Sequence, residues 1–314
     1  MQHNYLPMNA AALMDRVFDL YKATFKMQIA FSLIIGIISL ILMVAMGIAL
    51  AIGVGAAFGV AGYADDRFIV IAVVLVLIGI LPLYLGWVYL SASGHILISK
   101  QAFYGEPIEL PLGDTFAAFL RIMSAALAHL ILSAPWFILL AFGIYFVAAG
   151  QYDILYFFLD IHPLTLIFGG LAFSLLYIIY SNIFALSIPV AIFERRLFFS
   201  TVTRSLQLLK GDFWRVLGLR TLWVIVVYIF SYSAQGLVLA IVGFAAASAG
   251  NVVDLGQLYI ATSGMQFYVS LFAAILLGPM EGILTALIYF NQKIKKDGLD
   301  IEIGLDRLSR GYTS

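Results

Sequence analysis

Six apolar runs, each long enough to cross a bilayer, divide this chain, and nearly every cation lies between alternate runs. About twenty apolar residues span a hydrocarbon core. The runs fall at about 28–60, 68–98, 123–149, 164–193, 219–249 and 266–290. Sixteen of the seventeen Lys and Arg residues lie before the first run, between the second and third, between the fourth and fifth, or after the sixth. The alternate loops hold only Arg67, against Asp65, Asp66, Asp153, Asp160 and Asp254. Lys and Arg are retained on the cytoplasmic side during insertion. An even number of spans with both termini inside satisfies every cluster at once. The expected fold is an all-α integral membrane protein with six transmembrane helices.

Composition agrees. The chain is 63% hydrophobic and 11% charged, less than half the soluble norm of roughly 25% charged. Its first apolar run continues for about thirty residues from Gln28, whereas a secretory signal core has roughly 7–15. That run is expected to be a retained span. There is no cysteine, which excludes disulfides, thiolate metal sites and cysteine nucleophiles. No broad basic surface points to nucleic acid. The cationic inner side favours membrane lipids as partners.

Four spans contain a proline: Pro82, Pro135, Pro189 and Pro279. Each leaves a carbonyl that other polar groups must satisfy. Before spans one, three and five lie amphipathic stretches. In Asn9 to Lys26, Leu13, Val17, Leu20, Tyr21 and Phe25 oppose Asp15, Arg16, Asp19 and Lys22. In Phe199 to Lys210, Val202, Leu206 and Leu209 oppose Arg204, Gln207 and Lys210. Gly113 to Met123 is a weaker version. Such helices are expected in the interface, apolar side down. Arg204, Leu208, Lys210 and Phe213 each lie 188 positions after Arg16, Leu20, Lys22 and Phe25. The chain therefore reads as three units of interfacial helix plus membrane hairpin, at about 9–100, 113–196 and 197–296. Together they form one membrane domain, 1–296, followed by a short cytoplasmic tail, 297–314.

Three stretches carry a family resemblance: LMDRVFDLYKATF (13–25), IFERRLFFSTVTRSLQLLKGDFWRVLGL (192–219) and LIYFNQKIKKDGLDIEI (287–303). They resemble a family of bacterial integral membrane proteins. Its members include the membrane domain N-terminal to some glycerophosphodiester phosphodiesterases, and stand-alone proteins of unassigned role. Asn291 stands where that family usually has Asp. The resemblance implies six spans in a bacterial inner membrane. It does not imply phosphodiesterase activity, which belongs to a separate soluble barrel. The barrel's His-Arg-Gly signature is missing: His3, His95, His129 and His162 are followed by Asn, Ile, Leu and Pro.

Glu281 is the sharpest candidate for chemistry. It lies twelve residues before Lys293, ~18 Å of helix, near the middle of a ~30 Å core. Asn182, Ser133 and Tyr232 fall at similar depths by the same count. A mid-membrane polar layer of Glu281, Asn182, Ser133 and Tyr232 is one expectation; a hydrogen-bond cluster repairing the Pro279 kink is the other. Headgroup or interface contacts fall to Arg16, Lys22, Arg204, Lys210, Lys293, Lys295 and Lys296. His95 and His129 read as structural, and no cofactor is expected. The function expected is a non-enzymatic inner-membrane component, serving a protein partner or forming a homo-oligomer, in envelope or lipid homeostasis. The alternative is a transporter or flippase of an amphipathic molecule at Glu281. An intramembrane enzyme ranks last.

Because the chain lacks cysteine, topology is open to single-cysteine mapping. Cysteines at Asp65, Asp153 and Asp254 are expected to react with an impermeant thiol reagent in sealed cells. One at Ser314 is expected to stay unlabelled, and its labelling would reverse the orientation.

Overall fold

The computed structural model describes residues 7–60, 66–148, 171–172, 175–248, 255–303 and 305. Of the expected external loops, 61–65, 150–163 and 250–254 lie outside these, as do His3, His162 and the tail beyond Leu305; Asp66, Arg67 and 255–265 are described and helical. Every described element is helical, and no strand occurs among the described residues. The helices are α1 (Ala10–Val60), α2 (Asp66–Tyr104), α3 (Leu112–Ala117), α4 (Phe119–Ala148), α5 (Ser187–Phe193), α6 (Phe199–Leu209), α7 (Phe213–Ser248) and α8 (Leu255–Asp297). A further helical stretch covers 175–181 and leads into a 3-10 turn, Asn182–Phe184. Five helices among the described residues are long and apolar enough to cross a membrane: Ala10–Leu42, Phe119–Trp136, Leu175–Phe193, Phe213–Ala245 and Leu271–Asp297. The second expected span falls within α2, whose side chains are described from Tyr84 onward. The chain is an all-α membrane protein.

The chain divides into two compact units. Unit 1 comprises 1–33, 98–110 and 211–314. Its centre is α8, where every residue from Gly282 to Gln292 is buried. A helix buried on all sides is a core element. Phe290 stacks on Phe103 at 4.4 Å between ring centroids, a contact worth about 0.5–1.5 kcal/mol beyond its area. Leu13, Val17, Leu20 and Phe31 of α1 and Val216, Leu219 and Trp223 of α7 complete the core. Beyond Trp223 packing stops: from Val224 to Ala245 no residue of α7 is buried.

Unit 2 comprises 34–97 and 111–210. Ala125, Ala126 and Ala128 give α4 a small buried face, which lets helix backbones approach closely. Gly86 of α2 sits against Met123, whose Sδ would lie 2.1 Å from any added Cβ. Span four is broken. Pro189 has no N–H and would clash with the carbonyl four residues back, at Ala185. The chain answers with the 3-10 turn Asn182–Phe184 before α5 restarts the helix.

The amphipathic stretches are helical, and in 9–26 and 199–210 protein rather than lipid covers much of the apolar side, whereas Phe116, Phe119 and Leu120 of the third stretch are exposed. Leu13, Val17 and Leu20 are buried within the chain, as are Val202, Leu208 and Leu209. Leu206, expected on the apolar side, is exposed, as is Phe25. The buried side of α6 includes Thr201 and Ser205, so hydrophobicity alone misplaced its boundary. The offset of 188 reappears in burial: Leu13 and Thr201, Val17 and Ser205, Leu20 and Leu208, Gln28 and Val216, Phe31 and Leu219, and Ile35 and Trp223 are all buried. The two stretches differ in continuity. α1 runs unbroken through position 26, whereas α6 and α7 are separated by Lys210–Gly211–Asp212, with Gly211 at φ 92°.

Leu20→Asp or Leu208→Asp would bury a charge at a packed position, costing several kcal/mol, and is expected to cut the yield of folded protein. Phe18→Asp and Leu206→Asp, at exposed positions of the same helices, are expected to be milder. Equal losses in fluorescence-detected size exclusion would mean that the lipid-facing and protein-facing sides have been confused.

Candidate functional site

The four polar residues expected at mid-membrane divide between the units. Glu281 and Tyr232 belong to unit 1, Asn182 and Ser133 to unit 2. Glu281 does not line a closed interior. Its side chain is 52% exposed, and Arg220 of α7 holds it, with Nη2 3.5 Å from Oε1. A permanently charged guanidinium thus balances the carboxylate in its span. Tyr232 is 64% exposed and stacks on Tyr228, one turn back on the same helix. It lies ~18 Å of helix beyond Arg220. Unit 1 therefore does not gather Glu281 and Tyr232 into one site.

A tyrosine hydroxyl lies beside two of the proline kinks. Pro279 leaves the carbonyl of Ile275 without its helical donor, and the neighbouring Leu276 carbonyl accepts the Tyr21 hydroxyl at 2.7 Å. Pro135 does the same to Ile131, and the neighbouring Leu132 carbonyl accepts the Tyr180 hydroxyl. In each unit a tyrosine donates to the carbonyl three residues before a proline. Glu281 is not the group that serves the Pro279 kink at Leu276.

Asn182 and Ser133 are buried beside the second of these contacts. Ser133 follows Leu132, and Asn182 lies two residues after Tyr180. His129 belongs to the same neighbourhood. It stacks on Phe184 at 3.9 Å and shares a hydrogen bond with Tyr89 through Nδ1. The break in span four frees further backbone groups, and Ser205 of α6 meets two of them. Its hydroxyl donates to the Ile183 carbonyl at 2.8 Å and accepts from the Leu186 N–H at 3.2 Å. The polar residues of unit 2 thus surround a repaired helix break.

The expected headgroup cations are not equivalent. Lys295 pairs with Asp212 at 2.6 Å. Its hydrogen bond, opposed by partial burial and aided by Gln292, holds the Asp212 carboxyl below the usual range. Arg204 is also committed, its Nε 3.1 and 2.9 Å from the two oxygens of Glu194. Lys22, Lys210 and Lys296 are exposed, while Arg16 and Lys293 are half-buried. Two cations absent from that expectation, Arg195 and Arg196, project from the loop after α5. Among the described residues, no group of three or more His, Cys, Asp or Glu could hold a metal.

The loop from Glu194 to Phe199 is strained. Arg195 and Phe198 both have φ of 53°. The Phe198 ψ of −134° places it in a region native to glycine, a conformation costing about 1–3 kcal/mol per residue. Local bonds hold it. The Phe198 N–H donates to Ser124 Oγ at 3.2 Å, and Thr201 Oγ1 donates to the Phe198 carbonyl at 2.6 Å. Composition gave no sign of this geometry, because no glycine marks it.

Sequence reasoning also missed a clamp that joins the chain's two ends. The Asn291 amide accepts the Met8 N–H through Oδ1 at 2.8 Å and donates to the Met8 carbonyl through Nδ2 at 3.3 Å. Arg215 adds a second donor to that carbonyl at 2.8 Å. Only an amide makes both contacts; an ionised Asp accepts but cannot donate.

Asn291→Ala is expected to lower stability by about 1–3 kcal/mol, since buried polar groups lose partners. Asn291→Asp is expected to fall between Ala and wild type, because it keeps the acceptor and gains Arg215 as a neighbour. Detergent melting curves of the three proteins would test this order. Compared with protein-family models, curated proteins and solved structures, the chain matches none of them.

Proposed function

We propose that the chain is a non-enzymatic component of a bacterial inner membrane, with both termini cytoplasmic, that serves a protein partner in envelope or lipid homeostasis. The observation that carries this reading is the Arg220–Glu281 ion pair. A proton-coupling carboxylate has to change charge during its cycle. One held by a permanent cation on the next helix acts as a cross-brace instead. The closely packed α8 around it, buried on all sides from Gly282 to Gln292, fits a static support. The unpacked outer half of α7 offers a surface to a partner. The resemblance to the membrane domain found beside glycerophosphodiesterases supports a setting in envelope lipid metabolism.

A second reading has one observation of its own. The pair is open at the surface, with side chains 28% and 52% exposed. A cationic headgroup could therefore replace Arg220 against Glu281, as a flippase or transporter of an amphipathic molecule would require.

The pair separates the two. As a brace, Glu281→Gln removes the carboxylate that Arg220 faces on the neighbouring helix. That single variant is expected to melt lower than wild type. Arg220→Gln/Glu281→Gln is expected to recover most of the loss, because removing both charges is milder than removing one. Both variants are expected to complement a deletion strain when expressed at wild-type level. A stable double variant that fails to complement would move the transporter reading to first place.

A further inference from the structure

The loop joining α5 to α6 combines three features. It begins directly after Phe193, where the apolar window of span four ends. It is cationic: Arg204 and Arg196 share the single carboxylate of Glu194, Arg196 at 3.2 Å, while Arg195 is exposed. Two guanidinium groups thus share one acid, and a third lies beside them in the chain. It is also apolar at its tip, where Leu197, Phe198 and Phe199 are 54%, 37% and 43% exposed. The rings of Phe198 and Phe199 meet edge to face at 5.0 Å.

We propose that residues 195–199 form a wedge that binds an anionic phospholipid at the membrane surface. Charge complementarity selects the headgroup. Arginine matches phosphate oxygens through paired donors, and its excess over Glu194 leaves that capacity unspent. The apolar tip selects lipid over a soluble anion, since the three exposed side chains require acyl chains to cover them. Span four delivers the loop to the depth at which headgroups and acyl chains meet. The strained backbone gives the wedge its shape. Positive φ at Arg195 and Phe198 turns consecutive side chains outward, and Ser124 and Thr201 fix the turn from within the unit. The site is distinct from Arg220–Glu281 and stands whichever function that pair serves.

The test uses the full chain in nonionic detergent, with phosphatidylglycerol or phosphatidylcholine added to the micelles. Phosphatidylglycerol is expected to raise the wild-type melting temperature by several degrees, and phosphatidylcholine to raise it far less. High salt should weaken the response, because exposed charges are screened. Arg195→Gln leaves the Glu194 clamp intact and is expected to lose most of the response. Lys293→Gln/Lys296→Gln, away from the wedge, is expected to keep it. Phe198→Gly gives a second readout. Without lipid it is expected to melt as high as wild type or higher, since glycine relieves the backbone, yet to respond less to phosphatidylglycerol. A full response in Arg195→Gln would overturn the proposal. So would equal protection by both lipids, or a Phe198→Gly protein that melts lower without lipid and responds fully.

Discussion

A backbone in hydrocarbon must satisfy its own hydrogen bonds, and this fold depends on how it does so where proline prevents it. At three of the four prolines a hydroxyl from another element meets the backbone nearby. Tyr21 of α1 reaches the Leu276 carbonyl of α8, and Tyr180 reaches Leu132 of α4. Ser205 serves both a donor and an acceptor at the break in span four. Such bonds have few substitutes in an apolar medium, so they fix which helix lies against which. The prolines therefore specify packing partners as well as kinks.

Apolar length and cation distribution made the helices legible, because both follow directly from the properties of the bilayer. Amphipathic periodicity located α6 and the start of α1 and put Leu13, Val17, Leu20, Val202 and Leu209 on the apolar side, but it expected lipid there, whereas these residues are buried within the chain. It failed at Leu206, Thr201 and Ser205 because a hydroxyl that bonds to a neighbouring backbone is buried as readily as an apolar group. Sequence spacing gave Glu281 a depth but no partner. Helix rise fixes position along an axis. It does not say which neighbour's side chain, here Arg220, lies across from it. The Asn291 clamp was beyond reach for a different reason: it spans 283 positions of sequence, and only tertiary structure brings Met8 to it.

Cations in such a chain have two competing uses, and geometry separates them. Sorting signals need only a charge on the correct side. Lys295 and Arg204 do more, since each closes a defined pair with Asp212 and Glu194. Both pairs are largely shielded, with side chains 24% exposed in the first and 17% and 11% in the second, and both fix orientation. The Asp212 pair ties the turn before α7 to the end of α8, and the Glu194 clamp ties the end of α5 to the middle of α6.

The contrast between α1 and the α6–α7 segment shows what a single residue type permits. Both carry the same spacing of Arg, Leu, Lys and Phe, and six of their buried positions coincide. Position 23 of α1 is alanine, and the helix continues. Position 211 is glycine, which adopts φ of 92° where a side chain would be strained. Lys210 leaves helical geometry just before it, with ψ of 122°. Gly211 follows directly where α6 leaves helical geometry, and within unit 2 Ser205 of α6 meets both sides of the break in span four, at the Ile183 carbonyl and the Leu186 N–H.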